Sequence, residues 1–86
     1  MVIEEIKINS KRGFHLRPAT QLASAAQEFS SEIQVGYDGK VASGKSALGL
    51  LKLEVKEGGK ISLRIDGEDE EEAMKALTEL IQRELK

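Results

Sequence analysis

Cysteine and tryptophan are absent from this 86-residue chain, and histidine and proline each occur once. Without cysteine there is no disulfide framework or thiolate site, and a single histidine argues against a zinc cluster. No apolar run approaches the length of a membrane span, and the N-terminus lacks the basic-then-apolar layout of a signal peptide. We therefore expect a small cytoplasmic protein with no metal site and no cofactor.

Aromatic residues are also scarce, since Phe14, Phe29 and Tyr37 are the only three. They are too few to form a platform on which nucleic-acid bases stack. The 13 basic and 15 acidic side chains give a net charge of -2, so the whole chain has no electrostatic footprint for nucleic acid. The length allows one domain with a modest core, which we assign to residues 1–86.

The spacing of apolar residues predicts seven elements. Alternation predicts a strand near Ile6 and Ile8, a hairpin from Ile33 to Ser43 with its turn at Asp38-Gly39, and a last strand from Ile61 to Ile65. Helical spacing predicts a first helix from Leu16 to about Phe29, a short helix from Ala47 to Leu53, and a last helix with an apolar stripe of Ala73, Leu77, Leu80, Ile81 and Leu85.

The resulting order is β-α-β-β-α-β-α. Each strand is half polar, so one face of the sheet meets water and the helices lie together on the other face. This pattern predicts an α+β fold, a two-layer open-faced sandwich with an antiparallel sheet. Periodicity alone leaves the order of the strands open.

The stretch from Gly13 to Thr20 places the only histidine, His15, at the threshold of the first helix. Pro18 has no N–H to donate and is tolerated only in a first turn, so the helix begins near Leu16. Unpaired backbone N–H groups and the positive end of the helix dipole then lie beside His15, with the Arg17 guanidinium close by. This geometry favours a phosphate, and a neutral imidazole is a nucleophile that could bind it covalently.

The run Gly13-Phe14-His15-Leu16-Arg17-Pro18-Ala19-Thr20, followed by Lys45-Ser46-Ala47-Leu48-Gly49-Leu50-Leu51, resembles the histidine-containing phosphocarrier protein (HPr) family of the bacterial sugar phosphotransferase system. The resemblance implies a four-stranded sheet of order 1-4-2-3 covered by three helices. It also implies a monomeric carrier, not an enzyme, in which His15 takes a phosphoryl group from phospho-enzyme I and passes it to enzyme IIA, while Arg17 stabilises the phosphate. A nitrogen-related or purely regulatory member of the family is the alternative.

The short helix predicts a contact surface. At about 100° per residue, Leu50 and Leu53 fall on one side, and Ala47, Leu48 and Leu51 on nearly the opposite side. Both sides cannot face the sheet, so one apolar side is left exposed, as a docking surface would be. The resemblance places this side next to His15, where it would bind enzyme I and enzyme IIA together with Leu16, Thr20 and Lys52.

Ser46 has two interpretations that do not exclude each other. As the N-cap of the short helix it would contribute about 1 kcal/mol to stability. In many HPr proteins the serine of this motif is also phosphorylated by HPr kinase/phosphorylase, and the resemblance then implies a catabolite-control regulator as a further partner. Because a phosphate is well tolerated at a helix start, such a switch would act at the docking surface.

A rival function comes from the run Gly39 to Ser46, which fits the nucleotide-binding pattern G-x-x-x-x-G-K-S/T. A small nucleotide-binding domain is therefore an alternative. That loop needs a parallel sheet and a long helix, whereas this sequence predicts a hairpin before it and barely two turns of helix after it. Context therefore favours the carrier.

Three residues depart from the family pattern. Leu16 stands where a small residue is usual, which enlarges the docking surface. Arg12 replaces a small polar residue that would hydrogen-bond the histidine. Glu54 stands where glycine is common, just beyond the short helix, so we expect that helix to run a little longer.

Overall fold

The computed structural model describes residues 1–13 and 15–84, so Phe14 of the histidine motif and Leu85 of the last apolar stripe lie outside the described residues. The described chain forms β1 (Val2–Lys7), α1 (Leu16–Ala26), β2 (Glu32–Tyr37), β3 (Lys40–Ser43), α2 (Ala47–Lys52), β4 (Lys60–Asp66) and α3 (Glu70–Glu84). The predicted order of elements is confirmed.

The four strands form one antiparallel sheet in the order β1-β4-β2-β3. Strand β4 lies between β1 and β2, with Ile6 opposite Ile61 and Val35 opposite Leu63. Because side chains alternate across a strand, this register brings the apolar residues of neighbouring strands onto the same face. The strand order implied by the family resemblance is confirmed.

The core lies between that face and the three helices. Its fully buried side chains include Leu22 of α1, Leu50 of α2 and Leu77 of α3, packed against residues of the sheet such as Leu63. The opposite face of the sheet is largely polar and faces water, as the alternation predicts. None of the described helices is both long and apolar enough to span a membrane.

The turn of the hairpin is the one that its sequence favours. Asp38 has a φ of 51° and Gly39 a φ of 80°, the pair of positive values that a two-residue turn needs to match the twist of its strands. Strands β2 and β3 are therefore antiparallel and closely connected.

The predicted end of α1 is wrong by three residues, because the helix stops at Ala26 and not near Phe29. Beyond it the backbone tightens: the N–H groups of Glu28 and Phe29 donate to Ala25 and Ala26, at 3.1 and 3.2 Å. Phe29 still packs against the core. The apolar stripe therefore continues past the helix, and the stripe alone could not locate the helix end.

The expectation that α2 runs longer at Glu54 is also wrong. The helix ends at Lys52, and Glu54 has a φ of 54°, in the left-handed region that favours glycine. Its N–H donates to the Leu51 carbonyl at 3.2 Å, which is how a left-handed residue closes a helix. The glutamate therefore adopts the backbone conformation of a glycine.

Asp69 joins the start of α3 to the turn between α1 and β2. Its carboxylate accepts the backbone N–H groups of Ser30 (2.9 Å) and Ser31 (3.0 Å) as well as the Ser31 hydroxyl. The Ser31 hydroxyl, followed by the Ser30 N–H, lowers the pKa of Asp69 from 3.8 to about 2. The last helix was predicted from its apolar stripe, so this long-range role of Asp69 was missed.

Candidate functional site

His15 is the residue that precedes α1. Its backbone is extended, with φ -110° and ψ -177°, and its side chain makes no capping hydrogen bond to the helix. The ring is half-buried. Pro18 lies buried in the first turn, as its missing N–H allows. The imidazole is thus held at the helix start and is not used in capping it.

The start of α1 offers two backbone donors. The Ala19 N–H donates to the His15 carbonyl at 3.1 Å, and Pro18 has no N–H, which leaves the amides of Leu16 and Arg17. Neither amide finds an acceptor within residues 1–13 and 15–84. The exposed Arg17 side chain and the positive end of the helix dipole lie at the same helix start, which is the arrangement of donors that favours an anion.

The loop before His15 is fixed by a backbone contact that sequence reasoning missed. Gly13 has a φ of 62° and is packed so tightly that an added Cβ would overlap the Val55 carbonyl oxygen and lie 3.0 Å from the Lys56 Cα. The Gly13 N–H also donates to the Ser10 carbonyl at 3.0 Å. The loop that precedes His15 is therefore set against the segment that follows α2.

Arg12, the second departure from the family pattern, is exposed. Its backbone N–H donates to the Ser10 hydroxyl oxygen at 3.3 Å. The contact shapes the loop through the main chain. This role of Ser10 in the loop was not predicted.

Helices α1 and α2 run antiparallel. The end of α2 lies near the start of α1, because Val55 contacts Gly13. The start of α2 lies near the end of α1, because the Gln27 side-chain amide donates to the Lys45 carbonyl at 3.0 Å. Ser46 and His15 are consequently at opposite ends of the helix pair, separated along α2 by about 9 Å of helix.

The apolar side of α2 is narrower than the sequence predicts. Leu50 and Leu53 are buried, and Leu48 is 64% exposed, as expected for opposite sides of the helix. Ala47 and Leu51 are only partly exposed, because they also pack against the core. Leu16, at the start of α1, is 66% exposed, so the two most exposed leucines among residues 1–13 and 15–84 lie on adjacent helices. Thr20 and Lys52, the polar members of the predicted docking set, are exposed.

Ser46 is the N-cap of α2. Its hydroxyl oxygen accepts the Gly49 N–H at 3.0 Å, and its backbone is extended. The residue is exposed, so the hydroxyl is accessible although it caps the helix. The structural prediction for Ser46 is confirmed.

The nucleotide-binding interpretation of the run from Gly39 to Ser46 does not fit this geometry. The Lys45 ammonium, which would have to reach a phosphate, donates to the Phe29 carbonyl at 2.8 Å. The preceding strand pairs antiparallel to β2, and the following helix has six residues. A phosphate-binding loop needs its lysine free and its loop between a strand and a long helix.

The two segments that contain His15 and α2 carry mostly one sign of charge. The segments 9–27 and 39–56, which contain His15 and α2, hold seven cationic side chains and a single carboxylate, Glu54. The cations are Lys11, Arg12, Arg17, Lys40, Lys45, Lys52 and Lys56. A chain with a net charge of -2 thus carries seven of its 13 basic side chains in the two segments that contain His15 and α2.

Comparison with known proteins agrees with this geometry. The family model described as the PTS HPr component phosphorylation site matches residues 2–83. The phosphocarrier protein HPr of Borreliella burgdorferi is 45% identical over 82 residues, 95% of each chain. The HPr-like protein Crh of Halalkalibacterium halodurans is 39% identical, over 98% of this chain and 100% of that protein. Among solved structures, HPr from Thermoanaerobacter tengcongensis matches with a TM-score of 0.90 and 43% identity, over 95% of this chain and 92% of that one.

Proposed function

The chain belongs to the HPr family of phosphocarrier proteins of the phosphotransferase system, and from that membership we propose that His15 accepts a phosphoryl group from phospho-enzyme I and passes it to a sugar-specific enzyme IIA. In the first step a bond forms between phosphorus and the His15 ring as the bond to the donor's nitrogen breaks. In the second step a bond forms between phosphorus and the acceptor side chain of enzyme IIA as the bond to the His15 nitrogen breaks. The supporting observation is the uncommitted imidazole of His15 beside the two free amides of α1.

The anion site explains how a labile phosphoryl group could be held. With the phosphoryl group on Nδ1 of the ring, the phosphate oxygens would accept the N–H groups of Leu16 and Arg17. The Arg17 guanidinium can donate two parallel N–H groups to the phosphate oxygens, a geometry that the ammonium of a lysine does not provide. These contacts stabilise the charge without a further covalent bond, so the group can still leave.

The exposed surface beside His15 is the proposed docking site for both partners. Its apolar part consists of Leu16 and Leu48, supported by Ala47 and Leu51, and its polar part of Thr20 and Lys52. Exposed apolar patches on small proteins commonly mark contacts with other proteins. Because all six residues and His15 come from one chain, a monomer is sufficient for the transfer.

Ser46 is the proposed regulatory site. A kinase of the HPr kinase/phosphorylase type would phosphorylate its exposed hydroxyl, and the product would be recognised by a catabolite-control regulator. The phosphate would stand at the start of α2, at the far end of that helix from His15. It would therefore act through its charge on the docking surface, without unfolding α2.

The proposed function is tested by incubating the protein with phosphoenolpyruvate and enzyme I and measuring its intact mass before and after mild acid. We expect one phosphoryl group that is lost in acid and absent from His15→Ala. Arg17→Lys, which changes an exposed side chain, should slow the transfer and leave the thermal midpoint unchanged. A wild-type protein that gains no mass, or a His15→Ala variant that does, would refute the proposal.

A further inference from the structure

Glu54 occupies an unusual backbone position at the edge of the docking surface. It follows α2 directly after Leu53, and the next residue, Val55, contacts Gly13, two residues before His15. Its side chain is exposed. A partner that covers His15 and Leu48 would therefore meet the Glu54 carboxylate at the end of α2.

The φ of 54° at Glu54 is unfavourable for a residue with a side chain. Asp38 is the other non-glycine residue with a positive φ among those described, and aspartate commonly tolerates this conformation in turns. Glutamate has no comparable preference. Glycine would close α2 with less strain, so the backbone gives no reason for a glutamate at this position.

The surroundings of Glu54 give no structural reason for it either. The ion pairs formed within residues 1–13 and 15–84 do not include Glu54, and its carboxylate accepts no hydrogen bond from the residues described. It is the lone carboxylate among the seven cations of segments 9–27 and 39–56. A partner that matched only those cations would be acidic throughout and would repel Glu54.

We infer that Glu54 is a specificity-determining residue, which selects an enzyme I that presents a basic side chain to it within an otherwise acidic and apolar docking site. The inference rests on the proposed phosphocarrier function and concerns partner choice alone. A carboxylate in this place favours the matching partner and disfavours a uniformly acidic one. That combination is how charged surfaces discriminate between related partners.

The test measures kcat/KM of enzyme I from the same organism, with the full-length protein as substrate. Glu54→Gln removes the charge but keeps a side chain on the left-handed backbone, whereas Glu54→Gly removes both the charge and the side chain. The matched control is Glu57→Gln, which removes one charge from the turn beside Ile8, where the Gly58 N–H donates to the Ile8 carbonyl. Thermal unfolding of each variant reports separately on the backbone.

We expect Glu54→Gln and Glu54→Gly to lower kcat/KM by about threefold to fivefold at low salt, the range of an exposed ion pair. The loss should shrink in about 0.5 M salt, because salt at that concentration screens the attraction between exposed charges. Glu57→Gln should match the wild type. Unchanged or faster transfer to Glu54→Gln would overturn the inference, while a wild-type protein that enzyme I cannot phosphorylate at all would instead refute the proposed function.

Discussion

The substitution Gly13→Ala tests whether the loop before His15 is fixed by its contact with the segment after α2. A methyl group at this position would overlap the Val55 carbonyl oxygen and approach the Lys56 Cα at 3.0 Å. Both neighbours are backbone atoms, which cannot rotate away as a side chain can. One of the two loops must therefore move.

The expected cost has two parts. The positive φ at Gly13 costs alanine about 1–2 kcal/mol, of which about 0.5–1 kcal/mol is returned because alanine has less entropy to lose on folding. Relieving the overlap adds roughly 1–3 kcal/mol, as overpacking usually does. The sum is about 1.5–4 kcal/mol, which in a domain of this size lowers the thermal midpoint by roughly 6–32 °C.

Gly39→Ala is the matched control, because Gly39 also has a positive φ, of 80°, but an added Cβ there has no neighbour within 4 Å. It should cost only the backbone part. Urea unfolding of both variants measures the difference, and the rate of His15 phosphorylation shows whether the loop has moved. If Gly13→Ala were no less stable than Gly39→Ala, the proposed bracing of the His15 loop by Val55 would be refuted.

Three further predictions concern other parts of the fold. Asp69→Asn should destabilise the protein at neutral pH. Folding lowers the pKa of Asp69 from 3.8 to about 2, so the stabilisation by the ionised Asp69 carboxylate is present above pH 3.8 and is lost as the pH falls through about 2. The stability gap to the wild type in urea should therefore narrow on acidification, and a gap that widened would contradict this role. Ser46→Ala removes the N-cap of α2 and should lower the free energy of unfolding in urea by about 1 kcal/mol. Ser46→Asp, which can still cap the helix, should retain most of the stability. Equal stability of the wild type and both variants would rule out the cap. Glu54→Gly should raise the free energy of unfolding by about 0.5–1 kcal/mol, since glycine adopts the left-handed conformation readily, and a decrease would show that the glutamate side chain stabilises the fold.

Local signals in the sequence predicted the local structure well. The pair Asp38-Gly39 predicted its turn, and Ser46 predicted the start of α2, because both depend on neighbours within a few residues. The position of Pro18 likewise located the start of α1. In each case the physical cause lies in the same short stretch as the residue that reveals it.

Features that depend on distant residues were harder to predict. Periodicity showed which face of each strand is buried but not which strands are neighbours, so the order β1-β4-β2-β3 came from the family resemblance. The contact between Gly13 and Val55, and the hydrogen bonds that Ser31 donates to Asp69, join segments about 40 residues apart. No local pattern indicates such a pair.

The departure at Glu54 shows a different limit. A helix former just past α2 suggested a longer helix, yet the chain turns there in a left-handed conformation. The packing of Leu53 and Val55 into the core fixes the direction of the chain on both sides of Glu54, since both are almost fully buried. Tertiary packing therefore outweighs the local preference of a single exposed residue.

The central claim is that a phosphoryl group on His15 is held by the free amides at the start of α1. A ¹H–¹⁵N NMR spectrum of the histidine ring and backbone, recorded before and after phosphorylation by enzyme I, tests it most directly. Phosphate on Nδ1, with the amide signals of Leu16 and Arg17 shifting the most, is the predicted result. Phosphate on Nε2, or amide signals of Leu16 and Arg17 that stay in place, would contradict it.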